Sequence, residues 1–310
     1  MYKILLNILL LIIIPIGILS AEKPAADDIE RRVDSLFILA SSGEIKYRDQ
    51  VQPAFDSLVA MKTAAVPRLV GKLDSKVARE ARAVHDILIK IGGDAVPALM
   101  TQLSNKNIEV VNSACYILGK IGDTTATGPV AGLAGDDNWK LRSSAVTALG
   151  EIGGEEAYET IAAAFSDTVD IVRKSAAVAA GRLKNEAAVP MLVGMFDDAF
   201  YGARLCAADA LMEFGGGVMQ CIADSLDSEN QLMGNLGCVT LGRIGGDSAA
   251  VILSTQLGSP SPLRRALAVE GILHCNSSIA CGAVELLAET EKDPLVLFYI
   301  EKVMERYAEK

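Results

Sequence analysis

An apolar residue closing a small, glycine-containing block recurs at Ile91, Ile121, Ile152, Leu183, Phe214, Ile244 and Leu273, at intervals of 30, 31, 31, 31, 30 and 29 residues. So regular a period marks a repeat array, in which each unit buries its apolar face only against the next. Each unit carries two helical patterns. The first opens with small residues and often proline, as in Ala65-Val66-Pro67, Ala95-Val96-Pro97 and Ala188-Val189-Pro190, and proline suits a first helical turn because its missing N–H has no intrahelical partner there. A polar turn follows, with Asp136, Asp167 and Asp198 at matching places to cap the second helix. That helix has apolar or small residues at helical spacing, for example Leu141, Ala145, Ala148, Leu149 and Ile152, and Gly153-Gly154 stops it.

Composition agrees with helices packed closely. Half of the residues are apolar, 51%, but only 5% are aromatic, so Ala, Leu, Val and Ile supply the core. The expected class is all-α: a right-handed α-solenoid of about eight two-helix repeats with helical caps. Residues 1–21 read as a signal peptide, 22–62 as a polar segment and N-terminal capping helices, 63–278 as the repeats, and 279–310 as C-terminal capping helices whose last helix ends in a polar stretch. The signal peptide rests on Lys3, an apolar run from Ile4 to Leu19 broken by Pro15 and Gly17, and small residues at Ser20 and Ala21. That run falls short of the roughly 20 residues of a spanning helix. A periplasmic or secreted protein is expected; a membrane is involved only if this segment stays uncleaved.

A second ladder is polar: Arg142, Arg173 and Arg204 lie six residues after Asp136, Asp167 and Asp198. On these six positions the chain resembles the HEAT-repeat family, in particular the short HEAT-like units of bilin lyases. The resemblance covers roughly residues 50–290 and implies that the Asp and Arg side chains link adjacent repeats. Val111 and Gly234 stand at the Arg position of their units, so the ladder fails there. The period is shorter than the HEAT norm, but tetratricopeptide and ankyrin signatures are absent.

No catalytic constellation is visible. The two histidines, His85 and His274, are far apart in sequence, no phosphate-loop, GxSxG or HExxH motif occurs, and the Asp136-Asp137-Asn138 cluster lacks the spacing of a calcium loop. No cofactor and no metal are expected. A net charge of -10 with no basic run argues against nucleic acid. Six cysteines are present, and Cys275 and Cys281 bracket a short loop that a disulfide closes in one reading and leaves as buried thiols in the other.

What is left for a partner is the exposed stripe of the second helices, which lines the concave side of HEAT-like stacks. Arg79, Arg82, Tyr116, Lys120, Lys140 and Lys174 fall on it at helical spacing, and Trp139 and Tyr201 occupy equivalent places at helix starts. The expected function is a non-enzymatic scaffold of the envelope or secreted space that binds a protein or peptide. The alternatives are a bilin lyase or isomerase-like enzyme, which the resemblance raises, and a membrane-anchored assembly factor.

Overall fold

Helices of two lengths alternate along the described chain, residues 26–308 of a computed structural model, with no strand among them. The long helices are α2 (Arg48–Ala60), α4 (Ala78–Ile91), α6 (Ile108–Ile121), α8 (Trp139–Ile152), α10 (Asp170–Leu183), α12 (Tyr201–Glu213), α14 (Gln231–Ile244), α16 (Pro262–His274) and α18 (Pro294–Ala308). Shorter ones run between them: α3 (Val66–Val70), α5 (Val96–Gln102), α7 (Thr127–Ala131), α9 (Glu155–Ala164), α11 (Val189–Gly194), α13 (Met219–Leu226), α15 (Gly246–Ser254) and α17 (Cys281–Ala288). At the start, α1 (Ala26–Ala40) packs on α2. The signal peptide expected at 1–21 lies outside the described residues. No described helix is long and apolar enough to cross a membrane.

Each long helix packs on the next long helix, and most short helices touch the next short one, so the molecule is two parallel stacks with a single core between them. That core is two columns of side chains. Leu58, Leu88, Leu118, Leu149, Leu211 and Leu241 come from the long helices, and Leu69, Leu99, Val130, Ile161, Leu192, Ile222, Leu253 and Val284 from the short ones, all with no exposed area. Fully burying such a side chain stabilises by about 1.5–3 kcal/mol, and each column repeats with the period read from the sequence. The two patterns in the sequence are therefore the two faces of one core.

Where the chain leaves each long helix it passes through a residue of positive φ: Lys62, Gly92, Gly122, Gly153, Lys184, Gly215, Gly245 and Asn276. This column corrects the register of the seventh unit. Leu273 was expected to close it, two residues early; Asn276 at φ 54° is the counterpart of Gly153 at φ 82°, so Cys275 is the counterpart of Ile152. The interval then becomes 31, within the 30 or 31 of the other units. Asparagine is among the few residues that tolerate this conformation, which is why the glycine signal disappears at that point.

The prolines sit as expected in the first turn of α3, α5 and α11. The turn aspartates do something different from capping. Asp136, Asp167 and Asp198 lie two residues before the N-cap and accept hydrogen bonds from the backbone N–H of Asn138, Val169 and Phe200, at 2.7, 2.8 and 2.8 Å. They hold the turn, and the cap of α8 is the Asn138 side chain, which accepts from Lys140 N. At the far end α18 leaves Leu297, Phe298 and Met304 exposed beside its charged residues, so its outer face is more apolar than the polar sequence EKVMERYAEK indicates.

Candidate interaction face

Two polar and small-residue columns place the long helices. Arg142 on α8 grips Asp167 in the next turn with two parallel hydrogen bonds, Nε to Oδ2 at 2.7 Å and Nη2 to Oδ1 at 2.8 Å, and donates its third nitrogen back to the Asp136 carbonyl at 2.9 Å. Arg173 repeats this with Asp198 at 2.6 and 2.8 Å and with the Asp167 carbonyl at 2.9 Å. These hydrogen bonds hold both carboxyls below the usual aspartate range. Arg204 departs from the expected ladder: it reaches back to the Asp198 carbonyl at 2.6 Å but meets no carboxylate, because Ser228 stands where the next aspartate belongs. The ladder resumes with Arg265 and Glu291, at 2.6 and 2.9 Å, and Arg265 holds that carboxyl at about 2. Sequence reading missed this rung because a glutamate one residue further on replaces the aspartate.

The second column is glycine inside the long helices. A β-carbon on Gly119 would lie 3.2 Å from the Ala148 Cα, on Gly150 2.6 Å from the Ala179 Cα, on Gly181 3.0 Å from the Ala210 Cα, and on Gly242 2.5 Å from the Gly271 Cα. Backbones therefore touch at these joints, as small residues permit. The signal was present in the sequence, two residues before each closing apolar position, but reads there as part of the helix stop.

Where the backbones touch, the neighbouring side chains part and leave grooves. One, of about 180 Å³, lies between α6 and α8 over Gly119 and Ala148, walled by Tyr116, Lys120, Thr147 and Glu151. Another, of about 330 Å³, lies between α10 and α12 over Gly181 and Ala210, walled by Val178, Arg182, Cys206, Asp209 and Glu213. Between them Ser143 and Ser175 share a hydrogen bond of 2.8 Å. Glu151 accepts from Lys120 and from Arg182, each at 2.8 Å, so one carboxylate ties three successive helices.

Of the predicted partner-binding residues, Tyr116 and Lys120 line a groove, with Tyr116 half exposed and its ring 5.6 Å from that of His85. Burial lowers the His85 pKa, which favours a neutral ring in that stack. Arg79 and Arg82 are exposed on α4, and Lys174 is half-buried on α10. Trp139 and Tyr201, with Lys140, lie instead at the first turns of α8 and α12, away from the grooves at the other end of these helices. The Arg204 guanidinium lies 5.3 Å from the Tyr201 ring centre and joins it to the ladder edge. Asp209 and Glu213, absent from the predicted set, belong to the face, as does Arg182, which helical spacing puts on the same stripe.

The cysteines are free thiols. The Cys275–Cys281 bridge is not formed: Cys275 is buried where α16 ends, and Cys281 begins α17 after the intervening turn. Burial pushes the thiols of Cys115 and Cys238 up to about 12 and that of Cys275 to about 11, so they are inert, as buried small apolar groups are. No cluster of metal-ligating side chains occurs among the described residues.

Residues 127–212 match the family model of HEAT repeats. No curated protein matches the sequence. Solved structures similar to this one include the complex of CpcE and CpcF of phycocyanin lyase from Nostoc sp., with 22% identity and a TM-score of 0.44 over 48% of this chain and 98% of that one. The Escherichia coli protein YibA shows 16% identity and a TM-score of 0.48 over 84% and 97% of the two chains. Human deoxyhypusine hydroxylase shows 19% identity and a TM-score of 0.37 over 83% and 100%. Residues 127–212 thus match HEAT repeats, and the same kind of two-helix unit is stacked to either side of them.

Proposed function

We propose that the protein is a non-enzymatic docking scaffold, exported from the cytoplasm, that binds a polypeptide across the face of its long helices. The observation that carries this is the run of grooves from Tyr116 on α6 to Glu213 on α12, floored by the glycine contacts and walled by mixed polar and apolar side chains. A surface held by rungs of salt bridges presents its side chains at fixed spacing, and a preorganised surface binds with less ordering cost. Export rests on the apolar N-terminal stretch, and N-terminal sequencing of the protein recovered outside the cytoplasm checks it: a start near Glu22 is expected.

The binding face is tested by placing a photoreactive amino acid at Thr147 or Val178, on the long-helix face, and at Val251, exposed on short helix α15. Irradiation in the native host should give a discrete polypeptide adduct from the first two positions only. Adducts from Val251 alone would move the binding face to the other side of the molecule.

A further inference from the structure

The long-helix face has a charge pattern opposite to that of the whole chain. The protein carries a net charge of -10, yet on the exposed positions of α4, α6, α8 and α10 cations outnumber carboxylates. Arg79, Arg82, Lys90, Lys140 and Lys174 pair with no carboxylate among the described residues. Glu151, at the centre of the face, is already shared by Lys120 and Arg182. Asp86 and Glu109 are the other exposed carboxylates of these helices; Glu80 and Asp170 are half-buried in the first turns of α4 and α10, Glu80 accepting from the Ser75 hydroxyl and Asp170 lying near Arg173. At α12 Asp209 and Glu213 face the groove, each already paired with a cation, Arg243 at 2.7 Å and Lys184 at 3.4 Å. The cationic part of the face thus spans four helices, α4 to α10.

We infer that this face takes an extended acidic segment of a partner polypeptide, laid across α4 to α10. The inference rests on the docking function proposed above and specifies its chemistry. Packed helix axes stand 8–10 Å apart, so four helices span roughly 24–30 Å, and an extended chain rising about 3.3 Å per residue crosses them in about seven to nine residues. Side chains of the segment that alternate away from the cations meet the Gly119–Ala148 groove, where the Tyr116 ring and the Thr147 hydroxyl suit small or apolar groups. Polypeptide fits better than nucleic acid. A continuous polyphosphate would run into Asp86, Glu109, Asp209 and Glu213, whereas a peptide places its carboxylates singly.

Binding is read by isothermal titration calorimetry on the intact protein, because Trp139, the sole tryptophan, opens α8 at the end away from the grooves. The probes are nine-residue peptides of alternating Glu and Ala or alternating Lys and Ala, and a nine-nucleotide oligothymidylate. The Glu–Ala peptide should bind saturably, weaken with rising salt, and bind at least about tenfold more tightly than the Lys–Ala peptide, the size of one lost charge-assisted contact. Arg82→Glu with Lys174→Glu should weaken it about tenfold or more, as should Lys90→Glu with Lys140→Glu if the first pair disturbs folding, while Arg32→Glu on α1 should leave it unchanged. Equal affinity for the two peptides, unaltered binding by both charge-reversed pairs, or tighter binding of the oligothymidylate would each overturn the acidic-segment assignment. Adducts from Thr147 and Val178 alongside any of these results would leave the docking function standing with a partner of different chemistry.

Discussion

Helices α8 and α10 meet backbone to backbone, whereas α12 and α14 approach over much less of their length, although each pair joins consecutive repeats. At the first joint Gly150 lies against Ala179 and Arg142 grips Asp167 through half-buried groups. At the second, the equivalent positions hold Met212 and Thr240, and Ser228 replaces the aspartate that Arg204 would grip. What ties it together is more exposed: Arg243 to Asp209 at 2.7 Å and a hydrogen bond from Asn230 to Asp197. The joint between α4 and α6 is open in the same way, with Ile89 and Ile117 in the small-residue positions. A solenoid of uniform period is thus not uniformly stiff. Two columns, one of small residues and one of Arg–Asp rungs, decide joint by joint how firmly a repeat is held.

Arg264 shows what the break at Gly234 entails. Its guanidinium fills the space a side chain at Gly234 would need, 94% buried, and no described carboxylate pairs with it. It is held by neutral acceptors, the Leu226 carbonyl at 2.8 Å and the Asn235 Oδ1 at 2.9 Å. A buried charge keeps its stability only while such acceptors stay in place, so the α14–α16 joint depends on the end of α13.

The difference between joints is broken most sharply at the glycine. Gly150→Leu puts a side chain where a β-carbon already stands 2.6 Å from backbone, and should cost about 3 kcal/mol or more in urea unfolding; Met212→Leu, at the equivalent place in the open joint, should cost less than about 1.5 kcal/mol. Equal losses would mean that the glycine contacts do not set the tight packing. Next in size is the rung. Asp198→Asn weakens the paired hydrogen bonds from Arg173 and should cost about 2 kcal/mol at pH 7. The folded-state pKa of Asp198 is depressed, so its contribution is present above the unfolded value of about 3.9 and is lost as pH falls through the folded value. The gap between wild type and variant should therefore close as pH falls below about 4, read by urea midpoints along a falling pH series. Smallest is a repair. Ser228→Asp supplies the carboxylate that Arg204 lacks and should add about 0.5 kcal/mol, seen as slower amide exchange at the starts of α12 and α14 with none at α8.

Much of the fold was legible because its cause is periodic. Apolar and proline positions recur at the interval of the repeat, and a two-helix unit that cannot bury its face alone must stack. The rung pairs were half legible: Arg142, Arg173 and the three aspartates were visible as columns, but the partner lies 25 residues ahead, in the next turn, and a column does not say which neighbour it touches. The grooves were least legible. Tyr116 and Lys120 share a helical stripe with Asn112, and Arg182 falls on the equivalent stripe of its own helix, yet Asp209 and Glu213 join them only through the contact of successive helices.

The sequence by itself determined the all-α class, the period, the places of most helix ends and the residues that fill the core, since each follows from side-chain size and spacing along one chain. Only the tertiary structure decided that Asn276 does the work of a glycine, that Arg204 stands without its aspartate, that the six thiols stay free, and which joints close on a glycine. Those outcomes depend on distances between residues about thirty apart, which a one-dimensional pattern repeats but does not measure.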